Sequence, residues 1–263
     1  MDLGLSGKVA IVGGASQGIG FAIGASLAAE GAQLVLWARR GPALSDAAAR
    51  IEAKTGTRPA TVLGDVRQAA DHERVVQAAI ERFGRVDVLV NNDGAPPIGL
   101  LSTFDDSAWD RAIRQNLMSA VRMSRLCIPS MQASGWGRII NITAVSAKSP
   151  IAGFGLSVAT WAGLIGYSKT LSREVGRDGI TVNTICPGRI DTDLSKRAFQ
   201  RQAEIARRPL DEVTAEAIDR IPVRRIGRPA EIGDVVAFLA SEQASYLTGT
   251  TIQVDGGSTD SLL

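Results

Sequence analysis

KVAIVGGASQGIGFAIGASLAAE, residues 8–30, joins two kinds of segment through a glycine-rich turn. Residues 8–12 are a nearly unbroken apolar run, as a central parallel strand buried on both faces requires. Residues 19–30 are helix-prone, and Gly13-Gly14-Ala15-Ser16-Gln17-Gly18-Ile19-Gly20 lies across the junction. Glycines there let the backbone turn tightly and approach an anion, which then sits on the helix N-terminus where free N–H groups point. At the first strand-to-helix crossing of an alternating chain, Gly14, Ser16, Gln17, Gly18, Ile19 and Gly20 read as a dinucleotide pyrophosphate cradle. The blander alternative is a turn that serves only helix–strand packing.

Working outward, short β-rich runs alternate with longer helical patterns. Strands are predicted at 8–12, 33–37, 60–63, 86–90, 138–142, 180–185 and 251–254. Helices are predicted at 19–30, 43–54, 71–83, 107–132, 156–177 and 230–239. Strict alternation argues for an α/β fold, a doubly wound Rossmann-type parallel sheet of about seven strands with helices on both faces. No repeat, low-complexity tract or linker divides the chain, so residues 1–263 read as a single dinucleotide-binding domain. The polar, helix-prone stretch 194–228 breaks the rhythm. It reads as a solvated amphipathic helix pair, as a substrate lid over a strand's carboxyl end, or as both.

Composition excludes several classes. The 29 Lys/Arg nearly balance 27 Asp/Glu, which leaves no field for gathering nucleic acid or anionic membrane. One histidine, His72, and two cysteines, Cys127 and Cys186, are too few for a His-rich or Cys-based metal site or a disulfide framework. No stretch approaches the ~20 apolar residues of a spanning helix, and the N-terminus lacks a secretory pattern. The expectation is a soluble cytoplasmic protein without metal.

The second strand ends in LVLWARR, so Arg39 and Arg40 fall where an NAD-preferring site places an acid for the ribose 2′-hydroxyl. Two guanidiniums suit a 2′-phosphate, which favours NADP(H). A pair of exposed surface arginines is the alternative.

With GGASQGIG go GDV (residues 64–66), NNDG (91–94), Asn116, GRIINIT, VNTICPG, GRPAEI and TGTTIQVDGG. Together they resemble the classical short-chain dehydrogenase/reductase family over essentially the whole chain, and in particular its 3-oxoacyl carrier-protein reductase-like members. The resemblance implies that Asp65, with Val66 beside it, meets the adenine and that Asn92 and Gly94 line the adenosine side. It also implies that Pro187, Gly188, Ile190 and Thr192 frame the nicotinamide, and that the protein assembles as a homotetramer or dimer through long helices. Gly13 stands where the family usually has Thr, and Asp93 where it usually has Ala.

The family's chemistry uses a Tyr-x-x-x-Lys pair on one helix face, a Ser after the fifth strand, and an Asn. The chain has two tyrosines; Leu171 follows Tyr167 by four places and Thr250 follows Tyr246, so no Tyr-x-x-x-Lys exists. Against the family pattern, Ala144 falls at the Ser position, Ser157 at the Tyr and Trp161 at the Lys; only Asn116 survives. A subgroup with Ser and Arg on the helix and Lys in the preceding loop is matched by Ser157 and Lys148, but not at Trp161.

Each remaining candidate has two readings. Ser157 either hydrogen-bonds substrate or merely makes room on its helix. Trp161 is a packed wall in place of a cation, or a plate that stacks on a flat or cationic substrate. Lys148, near Ser146 in the loop after the fifth strand, is an exposed lysine or a replacement for the lost positive charge. Asp93 is a carboxylate near the cofactor or a turn residue before Gly94. Cys186 reads as a small buried hydrophobe, His72 as structural or exposed, and Asn116 as a helix prop as much as a relay.

Three functions follow. The first is an atypical NADP(H)-dependent oxidoreductase that passes hydride to a small, hydrophobic C=N, C=C or C=O substrate without the Tyr acid; a cationic C=N suits it best. The second is non-redox chemistry on the same scaffold, with Lys148, Ser146 or Asp93 as acid or base. The third is a non-catalytic, cofactor-binding subunit or regulator in a hetero-oligomer with a catalytic relative.

Overall fold

Alternate residues of each strand face opposite layers, and that period of two builds the molecule. The computed structural model describes residues 2–261. Seven strands, β1 (Val9–Gly13), β2 (Gln33–Ala38), β3 (Ala60–Leu63), β4 (Val88–Asn91), β5 (Gly137–Ile142), β6 (Ile180–Pro187) and β7 (Thr251–Val254), form one sheet in the order β3-β2-β1-β4-β5-β6-β7. Every neighbouring pair is parallel. The helices in chain order are α1 (Gly18–Ala29), α2 (Gly41–Thr55), α3 (Ala69–Phe83), α4 (Asp106–Ala112), α5 (Ser119–Ser134), α6 (Gly155–Val175), α7 (Asp193–Ala206), α8 (Leu210–Asp219) and α9 (Pro229–Leu239).

Ala10, Val12, Leu34, Leu36, Val88 and Val90 point into one core, where Ile23 and Leu27 of α1, Leu44 and Ile51 of α2 and Ile232 and Val236 of α9 meet them. Val9, Ile11, Val35, Trp37 and Leu89 point the other way, onto Val75 of α3, Met123 and Cys127 of α5 and Leu171 and Val175 of α6. Chain order reverses direction across the sheet between β1 and β4, and there the loops leaving the two strands' carboxyl ends part to form a crevice.

The predicted helix 107–132 is interrupted. α4 passes through a π-helical turn, Ile113–Met118, before α5 begins. The wider turn contains the buried Asn116, whose amide nitrogen donates to Thr160 Oγ1 of α6 at 2.9 Å. The stretch 194–228 folds into α7 and α8, and the chain is pinned where it leaves and re-enters the body. Asp191 N–H donates to Gly227 C=O at 2.8 Å, and Gly227 N–H to Arg189 C=O at 2.9 Å. A second tie joins the loop after β4 to the loop after β5, through Gly99 N–H to Gly153 C=O at 2.9 Å. No described helix is long and apolar enough to cross a membrane.

Arg138, at the start of β5, is 2% exposed. Its guanidinium donates to the carbonyls of Ser241, Gly137 and Gly179 and thereby ties the end of α9 to the sheet. Arg138→Met keeps the apolar stem and strands those acceptors. The expected loss is about 2–4 kcal/mol of stability, read from urea unfolding midpoints, with the far-UV spectrum unchanged.

Candidate functional site

The crevice is built by backbone contact. Asn92, just after β4, donates from Nδ2 to Gly13 C=O at 3.1 Å and holds the first loop against the fourth strand. Gly14 has φ +58°, and a Cβ there would stand 2.6 Å from Asn92 O. Gly20 passes so near Gly14 that a Cβ would meet its carbonyl oxygen at 2.4 Å. Both positions exclude a side chain. α1 begins at Gly18 with no side-chain cap from Gln17 and no acid in its first turn, so its leading N–H groups are left to a ligand. Arg40 Nη2 donates to Gln17 Oε1, which brings that guanidinium beside the loop. Arg39 and Arg40 are both exposed. The residues therefore fit a dinucleotide: an uncapped helix end and a side-chain-free loop for its diphosphate, with guanidiniums at the next strand's end.

Asp65, expected at the adenine, is paired with Arg67 at 2.6 Å, and that hydrogen bond holds its carboxyl below the usual range. Its backbone N–H is fixed by Asp71 Oδ2 at 2.7 Å. Val66 packs on the core beneath. Gly94 C=O accepts from Gln115 Nε2. Across the crevice, Pro187 ends β6, Gly188 N–H donates to Val254 C=O at 3.0 Å, and Thr192 caps α7 by accepting from Ser195 N–H at 3.2 Å.

Ile19, Asn92, Pro187, Gly188, Ile190 and Thr192 share a cavity of about 370 Å³ with the loop after β5 and with α7 and α8. Ile142, Ile151, Phe154, Trp161, Leu194 and Ile221 make its wall largely apolar. A larger, more open cleft of about 750 Å³ lies beyond the glycine loop against Phe21, Arg50, Lys54 and Asp234. It carries charges of both signs, and Gln17, Gly18 and Thr192 line its near end.

Of the five residues singled out for catalysis, two reach the cavity wall. Trp161 is 8% exposed, packs with Ala120 and Leu164, and lines the cavity, so packing and ligand contact are both realised in one side chain. Asp93 also lines it, at the end where Ser119 hydrogen-bonds its carboxyl and the charges of Asp65 and Arg39 are felt. Desolvation raises the Asp93 carboxyl to about 7. Asn116 does not line the cavity; its Nδ2 donates to Thr160, and its Oδ1 is buried without a hydrogen-bond partner. Ser157 is buried one turn before Trp161 and does not line the cavity. Lys148 is half-buried and off the wall, near enough to Cys186 to oppose the effect of burial, which raises that thiol. Cys186 is buried 3.1 Å from Thr143 Oγ1. His72 is fully buried, edge-on to Trp37 with Nε2 3.3 Å from Ser119 Oγ, and desolvation lowers its pKa.

Sequence reasoning passed over Arg189, Arg220, Ser195, Gln202, Ser258 and Thr259, all on the cavity wall. A cation immediately after the Pro-Gly that closes β6 was the readable signal for Arg189. Ser146 also lines the cavity; its hydroxyl is buried without a hydrogen-bond partner. Among the described residues no group of His, Cys, Asp and Glu is arranged to hold a metal.

Residues 14–259 match the family model described as enoyl-(acyl carrier protein) reductase. The chain belongs to the classical short-chain dehydrogenase/reductase family. A 3-oxoacyl-acyl-carrier-protein reductase of Salmonella typhimurium is 39% identical over 256 residues, covering 97% of this chain and 98% of that protein. The L-sorbose reductase of Gluconobacter frateurii, solved with NADPH and L-sorbose, superposes with TM-score 0.95 at 35% identity over the whole of both chains. An actinorhodin polyketide ketoreductase solved with NADPH gives TM-score 0.92 at 31% identity, covering 97% of this chain and 98% of that one. This short-chain dehydrogenase/reductase thus shares its fold with reductases solved with NADPH.

Asp93 gives the site a pH signature. Its folded pKa lies above the ordinary carboxylate value, so the native state holds the extra proton, and stability falls as pH rises from about 4 to about 7. Asp93→Asn removes that cost. The variant is expected to melt a few degrees above wild type at pH 8, about 2–4 °C per kcal/mol relieved in a chain this size, with the gap narrower at pH 5 and closed below about pH 4. Thermal unfolding across that range tests it.

Proposed function

We propose that the protein is an NADP(H)-dependent oxidoreductase that passes hydride to a small, mainly apolar substrate without a tyrosine acid. The observation that carries this reading is an uncapped, side-chain-free helix entrance that opens into a cavity walled by Trp161. Gly18 and Ile19 N–H groups would hold the diphosphate, and Arg39 and Arg40 the 2′-phosphate. Asp65, Val66, Asn92 and Gly94 would line the adenosine, and Pro187, Gly188, Ile190 and Thr192 the nicotinamide. NADPH when bound supplies the hydride. The NADPH complexes of the sorbose reductase and the ketoreductase support this choice of cofactor.

The chain's own contribution is placement and exclusion of water. Trp161 fills the position of the family's lysine with an apolar plate, which removes both the cation and the acid–base pair it would serve. Proximity then carries much of the rate, and a C=N or C=C that needs little protonation from the protein suits the site better than an ordinary ketone. The Ser146 hydroxyl remains available to a polar atom of the substrate. The helices over 194–228 act as the substrate lid.

Titration with NADPH and NADH, followed by nicotinamide fluorescence and calorimetry, tests the cofactor assignment. Micromolar NADPH with weaker NADH is expected; Arg40→Ala is expected to weaken NADPH about tenfold and leave NADH nearly unchanged. Absence of binding by either nucleotide overturns the reading in favour of non-redox chemistry. With NADPH bound, imines or activated alkenes are expected to be reduced. Brisk turnover of ketones with imines and alkenes untouched overturns the substrate assignment. Ala144→Ser, Ser157→Tyr and Trp161→Lys together are expected to raise ketone reduction about 100-fold, the ordinary worth of a positioned general acid.

A further inference from the structure

Arg189 follows directly on the strand end that frames the proposed nicotinamide position, and it lines the cavity together with Arg220 from the end of α8. Its guanidinium rests 4.8 Å from the centroid of the Phe199 ring, which is itself buried on α7. That contact holds the cation against the ring without using any of its N–H donors. Among the described residues no carboxylate pairs with it; the charge that acts on it is the like charge of Arg220. Arg220 has only a shared counter-ion, because Glu216 serves Arg208 as well, at 2.8 Å. Two cations thus face a largely apolar cavity, one half-buried and without a partner.

Arg220 is exposed and keeps its bond to Glu216, but Arg189 is half-buried, and a cation set in a partly desolvated wall without an anion beside it costs stability unless a ligand provides one. A planar fork held by its face presents two parallel N–H groups to a carboxylate, and the apolar wall opposite accepts the rest of the molecule. We propose that Arg189, aided by Arg220, is a carboxylate-binding subsite, and that the substrate is an apolar compound bearing a carboxylate at the end away from the bond that receives hydride. The inference deepens the function proposed above and rests on it for the word substrate. It also modifies it: a free cation would meet two guanidiniums, so a C=N substrate must carry its own acid group.

The test is direct binding. ω-Phenylalkanoates with chains of two to six carbons, and their matching primary amides, are titrated into the NADPH-loaded protein and into the protein alone by calorimetry. At least one acid is expected to bind about tenfold or more tightly than its amide, with affinity falling as salt rises. Arg189→Met is expected to remove that preference by weakening the acid about tenfold, while the amide and NADPH keep their affinities within about twofold and so report an intact fold. Arg189→Lys, which keeps the charge and loses the fork, is expected to retain part of the preference. Equal binding of acid and amide, no binding of any acid below about 10 mM, or a preference that survives Arg189→Met overturns the subsite. Acid preference in a protein that binds no nicotinamide nucleotide supports the subsite and overturns the cofactor reading alone, so the two fail separately.

Discussion

The hydrogen bond from Asn92 Nδ2 to Gly13 C=O closes the distance between the first and fourth strands' carboxyl ends to one in which no side chain fits. Around it, Gly14 and Gly20 bring backbone against backbone, and α1 starts where its free N–H groups look into the crevice rather than at a capping oxygen. Everything that makes the crevice a ligand site depends on this junction. The parallel sheet supplies it because chain order reverses there, and the two cores fix it because strand residues alternate strictly between the layers.

Beyond that junction the glycine loop and the cavity differ in residue type. The loop is backbone, glycine and exposed arginine. The cavity wall is Trp161, Phe154 and aliphatic side chains, with isolated hydroxyls and Arg189 and Arg220. On the α6 face Ser157 lies off the wall, and Asn116 donates from Nδ2 to Thr160 while its Oδ1 is buried without a partner.

The strands were readable because buried parallel strands are apolar runs of characteristic length, and each predicted run overlaps an observed strand. The break inside 107–132 was not readable: a π-helical turn leaves the apolar periodicity of its neighbours intact and shows only as geometry around Asn116. The glycine loop was legible because its residues act through backbone conformation, which glycine marks. Arg220, Ser258 and Thr259 were not, because they reach the cavity from segments far apart in sequence. Ser157 and Lys148 lie off the cavity wall, a matter of depth that linear spacing leaves open because it does not say which side of a helix or loop faces the crevice.

The neck formed by Asp191, Gly227 and Arg189 isolates the α7–α8 excursion from the sheet. A segment whose two ends are hydrogen-bonded to each other has already met its closure entropy, and lengthening it adds only about 0.6 kcal/mol per doubling. The excursion is therefore a cassette: its length and sequence can drift while the strand ends beneath it stay in register. Arg189 belongs to that neck as well as to the cavity wall, so the same short span of backbone that anchors the cassette also fixes one point of the cavity's rim.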